Sequence, residues 1–239
     1  YRAGKRFTPK GAFLHSTGAN NPNVSRYVPG DAEIGVNKYS NHWNRGGLDK
    51  CVHGFIGKFA DGSVGTVQTL PWDMRGWHAG KQAGNNGYIG VEICEDGLND
   101  SAYFAKVYRE AVELFAMLCR EFGWNPLEDG VILCHAEGYK RGIASNHGDV
   151  LHWFPKHGKS MDDFRQDVKR EMGGSEDMSY EQFKQYMARY EAEKAKEPAS
   201  AWAKDILAQA KAKGITDGTR PQSYASRQEV ATMVLNATK

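Results

Sequence analysis

The sequence contains no long hydrophobic run, and no stretch approaches the roughly 18 consecutive apolar residues of a membrane-spanning helix. It also carries little net charge, because 31 Lys and Arg residues are balanced by 29 Asp and Glu residues. Nucleic-acid affinity depends on a large basic field, which this balance does not supply. We therefore expect a globular chain whose partner is neither a membrane nor a nucleic acid.

Cysteine is scarce, and several familiar catalytic motifs are missing. The four cysteines, at positions 51, 94, 119 and 134, stand singly with no C-x-x-C pair, which excludes a disulfide framework or a zinc knuckle and predicts free, buried thiols. There is no H-E-x-x-H, and no G-x-S-x-G that would indicate a covalent nucleophile. The H-x-E of His135-Ala136-Glu137 is not followed by the P-C-x-x-C of zinc deaminases.

Short apolar runs alternate with stretches of helical period, which predicts an α/β domain with a mixed central β-sheet flanked by helices. Asp61-Gly62 lies between two of these runs and predicts a hairpin turn. Apolar residues at helical spacing predict one helix from Ser101 to Phe122, ended by Gly123, and another from about Met161 to Met172. The predicted strands are Gly11–Leu14, Val52–Phe59, Ser63–Thr69, Ile89–Cys94 and Val131–Cys134.

The composition changes after Gly173, which predicts three parts: a catalytic domain at 1–173, a helical connector at 174–198 and a small all-α module at 199–239. One side of the connector carries aromatic and apolar residues, which predicts a packing face against the enzyme or against a second copy of the chain. This face consists of Tyr180, Phe183, Met187 and Tyr190. In the last module we expect Trp202, Ile206, Leu207 and Ala210 to face Val230, Met233 and Val234.

Three histidines occupy positions where a metal site would be built. His15 and His135 each follow an apolar strand, and His147 lies in the loop beyond. A catalytic zinc needs about three protein ligands and one open position, which His15, His135 and Asp149 could supply. Glu92 follows another apolar run and would suit a base that takes a proton from water. By spacing alone, structural or surface imidazoles remain the competing interpretation.

The motifs FLHSTG, GWHAGKQAGNNGYIGVE, LCHAEG and SNHGDV resemble, in order and register, the type 2 N-acetylmuramoyl-L-alanine amidases, a family that also includes peptidoglycan recognition proteins. The resemblance extends from about Gly11 to Met172. It implies a zinc site in a surface groove, with His15, His135 and Asp149 as the ligands. It further implies that Glu92 is the catalytic glutamate and that His147 stabilises the oxyanion.

The same resemblance implies that Trp77, His78 and Asn85 line the substrate groove, with His42 contributing from the preceding loop. In many members the third ligand directly precedes Pro-Gly, whereas Asp149 precedes Val150 here, which leaves His152 as an alternative third ligand. We prefer Asp149 because the H-x-D pattern is similar to the branch of staphylococcal-type autolysins and clostridial phage lysins.

The C-terminal segment resembles a single S-layer-homology motif, with Trp202 near its start, GITDGT in the middle and Ser226-Arg227-Gln228-Glu229 near its end. Such modules bind secondary cell-wall polysaccharide and usually occur in threes. A small interaction hairpin or dimerising hairpin is the alternative for a single copy.

Together these resemblances imply a bacteriolytic enzyme, an endolysin or autolysin, that cuts bacterial peptidoglycan at the cell wall. A recognition module that binds without cutting, and an amidase acting on small soluble muropeptides, are the alternatives. The first residues show no signal peptide, so we expect the protein to reach the wall through lysis or a holin-type route.

Overall fold

The computed structural model of the chain describes residues 4–173 and 180–238. The chain divides into two units, Tyr1–Gly174 and Ser175–Lys239, which are described separately. The first unit contains five strands: β1 (Gly11–Ser16), β2 (Gly54–Lys58), β3 (Val64–Gln68), β4 (Tyr88–Ile93) and β5 (Ile132–Cys134). Its helices are α1 (Gln82–Asn85), α2 (Ser101–Phe122), α3 (His135–Lys140) and α4 (Met161–Met172). Short 3-10 helices cover Val24–Arg26, Asp149–His152 and Phe154–His157.

The five strands form one mixed sheet in the order β3-β2-β4-β1-β5, which confirms the predicted fold class. β1 runs parallel to both of its neighbours, β4 and β5, and β2 runs parallel to β4. Only β3 is antiparallel, because a tight hairpin turn joins it to β2. In that turn the Asp61 carboxylate accepts the backbone N–H of Ser63 at 2.8 Å, and Gly62 adopts a φ of +83°.

Alternation along the strands gives the sheet two different faces. Ala12 and Leu14 of β1 belong to the main core, which helices α2 and α4 cover. Phe13 and His15 point to the opposite face, where Phe13 packs in a smaller apolar cluster with Tyr88. The first face therefore carries the main core, and the second combines a smaller apolar cluster with the polar side chain of His15.

Helix α2 has the bounds that the sequence predicts. Its N-cap Asp100 accepts the backbone N–H groups of Ala102 and Tyr103, each at 3.0 Å. It ends at Gly123, whose φ of +68° lies in the left-handed region that favours glycine.

Strand β1 runs two residues farther than predicted, so His15 lies within the strand rather than after it. His15 and Ser16 continue the ladder opposite Glu92 and Ile93 of β4. The apolar pattern ends earlier because His15 is a polar side chain on the site face, although the backbone pairing continues.

Three of the four cysteines, Cys94, Cys119 and Cys134, are buried thiols, and Cys51 is partly exposed. All four lie within the described residues, and none forms a disulfide. In the described parts of the chain, no helix is long and apolar enough to cross a bilayer.

The second unit contains α5 (Tyr180–Lys194), a 3-10 turn at Ala201–Ala203, α6 (Lys204–Ala212) and α7 (Arg227–Ala237). Residues 174–179 of the predicted connector lie outside the described residues, as does the side chain of Tyr180. Trp202 is 80% exposed and Val234 is 57% exposed, so these two side chains are not buried between the last two helices. Helices of nine and eleven residues offer too little apolar surface to bury such side chains.

Candidate active site

Three predicted ligands converge at the carboxyl-terminal end of the parallel strands. His15 lies near the end of β1, His135 begins α3 directly after β5, and Asp149 begins the 3-10 turn that follows. Asp149 Oδ2 lies 2.8 Å from His15 Nδ1 and 3.0 Å from His135 Nδ1. The two Nδ1 atoms are 3.3 Å apart. His15 therefore meets two side chains that lie 120 and 134 positions later in the sequence, and the three form one compact triangle.

The triangle matches the donor set of a metal ion. Zinc bonds of about 2.0–2.2 Å in tetrahedral geometry require donor atoms roughly 3.3–3.5 Å apart. The edge between the two nitrogens, 3.3 Å, fits this range, and a small outward movement of Asp149 would lengthen the other two edges, of 2.8 and 3.0 Å, to accommodate an ion. Two imidazole nitrogens and one carboxylate oxygen are a common set for catalytic zinc. His15, His135 and Asp149 could therefore hold a metal ion.

The electrostatics of the ligands also favour a cation. Burial lowers the pKa of His15 and keeps the imidazole neutral, although Asp149 opposes this effect. Burial alone would raise the pKa of Asp149, but the two neighbouring imidazoles outweigh it and hold the pKa below its ordinary value. Neutral nitrogen and ionised oxygen are the protonation states that metal binding requires.

Asp149 has an unusual backbone conformation for a non-glycine residue, with a φ of +41°. A hydrogen bond between His152 and Glu95 holds the turn that carries Asp149, with His152 Nε2 2.9 Å from Glu95 Oε1. Glu95 also accepts the backbone N–H of Gly18 at 3.2 Å. His152, the alternative third ligand, is therefore paired with Glu95, whereas Asp149 reaches the two histidines.

Glu92 is buried on β4 in register with His15. Its Oε2 atom is buried and has no hydrogen-bond partner among the described residues. Burial raises the pKa of Glu92 well above its usual value, and the nearby Asp149 charge raises it further. A carboxyl group with a raised pKa and a free oxygen beside a metal site is suited to accept and return a proton.

His147 lies on the exposed side of the ligand cluster. Its Nδ1 lies 3.1 Å from Ser145 Oγ, which in turn lies 3.0 Å from His135 Nε2. If His135 binds a metal through Nδ1, its Nε2–H donates to Ser145, and the Ser145 hydroxyl can donate to His147. This order of donors leaves the Nε2–H of His147 available to an incoming ligand. Sequence reasoning missed Ser145, although it opens the SNHGDV motif.

Trp77 is exposed and lines a groove of about 960 Å³. The guanidinium of Arg75 lies 4.8 Å from the centre of the Trp77 ring. On the opposite loop, Lys50 Nζ lies 4.2 Å from the centre of the Trp43 ring. The groove therefore presents two aromatic rings, each paired with a cation.

The other three predicted substrate residues, His42, His78 and Asn85, do not line this groove. His42 directly precedes the groove residue Trp43, and its buried Nδ1 has no partner in the part of the chain that the structure describes. Asn85 is fully buried, and its Oδ1 accepts the backbone N–H groups of His78 and Ala79, each at 2.8 Å. The ring of His78 lies behind His15, with its Nδ1 3.0 Å from His15 Nε2. Asn85 and His78 thus contact the protein scaffold in this structure.

Comparison with known proteins places this geometry in a family. The family model described as N-acetylmuramoyl-L-alanine amidase matches residues 5–151, more than half of the chain. A search of curated proteins finds no match.

Solved structures share the fold. The Staphylococcus aureus hydrolase AmiA, solved in complex with its ligand, is 18% identical with a TM-score of 0.52, and the alignment covers 74% of this chain and 81% of AmiA. The PlyG catalytic domain is 19% identical with a TM-score of 0.50, over 70% of this chain and 85% of that domain. The family match includes the strand ends that carry His15, Glu92 and His135, together with Asp149. On this basis the chain belongs to the N-acetylmuramoyl-L-alanine amidase family.

Proposed function

We propose that this protein is a zinc-dependent amidase that hydrolyses the bond between N-acetylmuramic acid and L-alanine in bacterial peptidoglycan. The observation that carries the proposal is the triangle of His15, His135 and Asp149 beside the unpartnered Glu92 carboxyl. Family membership supports the reaction class. A recognition module needs neither a buried proton acceptor nor a complete ligand set, so Glu92 favours an enzyme.

The roles of the residues follow from their positions. Zinc, when held by His15, His135 and Asp149, supplies a Lewis acid that polarises the carbonyl group and acidifies water. Glu92 accepts the proton of the attacking water through Oε2 and later returns it to the departing alanine amine. His147, exposed at the rim of the cluster, donates a hydrogen bond to the oxygen that gains negative charge.

The groove that Trp77 lines is suited to an acidic peptide, although none of the three ligands lines it. Lys5, Arg45, Lys50 and Arg75 line it together with a single carboxylate, Asp49. None of these cations forms an ion pair within the described residues. Stem peptides of peptidoglycan carry free carboxylates, which a guanidinium stacked on an aromatic ring can bind with two parallel hydrogen bonds. We assign Trp77 to contact with the substrate here, and His42 would contribute if its loop moved.

Digestion of purified Gram-positive cell walls tests the activity directly. We expect new amino-terminal alanine, no new reducing ends, loss of the reaction with chelator and recovery with zinc. The matched control is Glu92→Gln, which keeps the size of the side chain and all three ligands. Tight wall binding without new amino termini from the zinc-loaded protein would instead establish a recognition module.

For the C-terminal unit we propose wall targeting through secondary cell-wall polysaccharide. Thr219, Arg220 and Glu229 line a groove of about 650 Å³ in this unit, and Arg220 is paired with Glu229 at 2.6 Å. Polar and charged side chains in a shallow groove are suited to a sugar polymer. The packing face of α5, of which Phe183 is 49% exposed and Tyr190 is 43% exposed, would associate with a second copy as the alternative role of this unit.

Removal of residues after Gly174 separates these two roles. Weaker retention on purified walls, with the same number of chains per particle in sedimentation equilibrium, would support targeting. Unchanged retention, with a shift from dimer to monomer in sedimentation, would support self-association. In either case the amidase would act at the bacterial cell wall.

A further inference from the structure

His78 lies in a chain of polar contacts that leads from the sheet backbone to the ligand triangle. His78 Nε2 is 3.0 Å from the carbonyl oxygen of Tyr88. On the other side of the ring, His78 Nδ1 is 3.0 Å from His15 Nε2. The remaining nitrogen of His15, Nδ1, is 2.8 Å from Asp149 Oδ2. Each ring nitrogen of both histidines therefore has a partner.

The Tyr88 carbonyl sets the direction of every hydrogen bond in this chain. A carbonyl oxygen can only accept, so His78 Nε2 must carry the proton. In a neutral imidazole the other nitrogen then lacks a proton, and His78 Nδ1 must accept from His15 Nε2–H. His15 Nδ1 is left with a lone pair directed at an ionised carboxylate oxygen. A cation held between His15 Nδ1 and Asp149 Oδ2, which are 2.8 Å apart, would satisfy both acceptors.

The His78 ring packs directly against the backbone of β4 at Gly90. A Cβ atom on Gly90 of β4 would lie 2.5 Å from Nδ1 and 2.6 Å from Cδ2 of His78. No real side chain tolerates such contacts, so the ring can occupy its place only while residue 90 is glycine. Asn85 holds the backbone N–H of His78 and Ala79 and so fixes the start of the same side chain.

We propose that His78 is a positioning residue, enabled by Gly90, that fixes the tautomer of His15 so that Nδ1 faces the metal. His78 then acts through His15 and does not touch substrate. The inference rests on the proposed metal-dependent function and adds a residue to it. Partners of this kind typically change metal affinity by about 10- to 100-fold when they are removed.

Zinc affinity, measured by competition with a chromophoric chelator, tests the proposal. We expect His78→Ala to weaken zinc binding by about 10- to 100-fold and to alter the visible spectrum of the Co²⁺-loaded protein. His78→Asn places an amide oxygen near the position of Nδ1, so it should restore most of the affinity. Equal affinity in the wild type and His78→Ala would overturn the proposal.

Gly90→Ala provides an independent test, because it displaces the His78 ring without removing a polar group. We expect it to weaken zinc binding, and the double variant Gly90→Ala/His78→Ala to bind no worse than His78→Ala alone. The matched control is Gly54→Ala in β2, where an added Cβ would meet its nearest neighbour, Val67 O, at an ordinary 3.4 Å. Fully additive losses in the double variant would contradict the shared mechanism.

A measurement on the unmodified protein avoids any question of variant folding. Long-range ¹H–¹⁵N spectra of the zinc-loaded protein should show His15 protonated at Nε2 and His78 protonated at Nε2. A His15 protonated at Nδ1 would overturn the proposal. Failure of the wild type to bind zinc would instead remove the proposed function, so the two failures are distinguishable.

Discussion

His15 on β1 and Glu92 on β4 are paired in register across two adjacent parallel strands. Register partners in a parallel pair point to the same face, so the candidate ligand and the candidate base share one side of the sheet. Both side chains are buried, at 1% and 8% exposure. The backbone ladder therefore fixes the relation between the candidate ligand and the candidate base without the help of a loop.

Alanine substitutions of Asp149 and His152 distinguish the two candidates for the third ligand. We expect Asp149→Ala to lose zinc binding and amidase activity, because it removes the oxygen that contacts both histidines. His152→Ala should keep both within a few-fold, since His152 contacts Glu95 instead. Zinc content after dialysis, measured for both variants, checks this. Loss of zinc from His152→Ala with retention in Asp149→Ala would reverse the assignment.

Glu92→Gln should separate stability from activity. Because burial raises the pKa of Glu92 in the folded protein, the unfolded chain ionises at lower pH than the folded one. The free energy of unfolding therefore falls as pH rises above the unfolded-state pKa of about 4.3. At neutral pH the metal-free variant should therefore melt at a higher temperature than the wild type. Its amidase rate should fall by about 100-fold or more, with zinc retained. A lower melting temperature would show that the ionised carboxyl stabilises the fold.

The pH dependence of kcat/KM should also depend on the ionisation of Glu92. Glu92 must be ionised to accept a proton, so kcat/KM should fall as pH drops through its pKa. Burial raises that pKa in the metal-free protein and a bound cation opposes it, so an acid limb above the ordinary value of about 4.3 for glutamate would mean that burial dominates. Initial rates on a soluble muropeptide across pH would locate the limb. An acid limb that is unchanged in the residual activity of Glu92→Gln would show that Glu92 is not the base.

His147→Ala should reduce kcat by about 100- to 1000-fold, as expected for loss of one donor to a developing oxyanion. His147→Lys should recover part of this loss, because an ammonium group can also donate. Zinc affinity should change little, since the three ligands remain. The control is His157→Ala, whose ring packs on Phe104 and bonds the Leu98 carbonyl away from the cluster. Equal activity of His147→Ala and His157→Ala would remove the proposed role.

Local patterns predicted the scaffold well. The bounds of α2 were predictable because a buried apolar face, the N-cap Asp100 and the stop at Gly123 all act within a few residues of the chain. Strand ends were less predictable, because β1 continues through His15 only by pairing with β4. In the C-terminal unit, the apolar pattern includes Trp202 and Val234, which the structure leaves exposed.

The sequence by itself determined the residue types available to the site and the family to which they belong, since motifs and short-range periodicity are properties of neighbouring residues. Only the tertiary structure decided how those residues meet. His15 and Asp149 are 134 positions apart, and no local pattern sets their 2.8 Å separation. The raised pKa of Glu92 and the place of His78 over Gly90 likewise depend on burial and on close contact, which exist only once the sheet has formed.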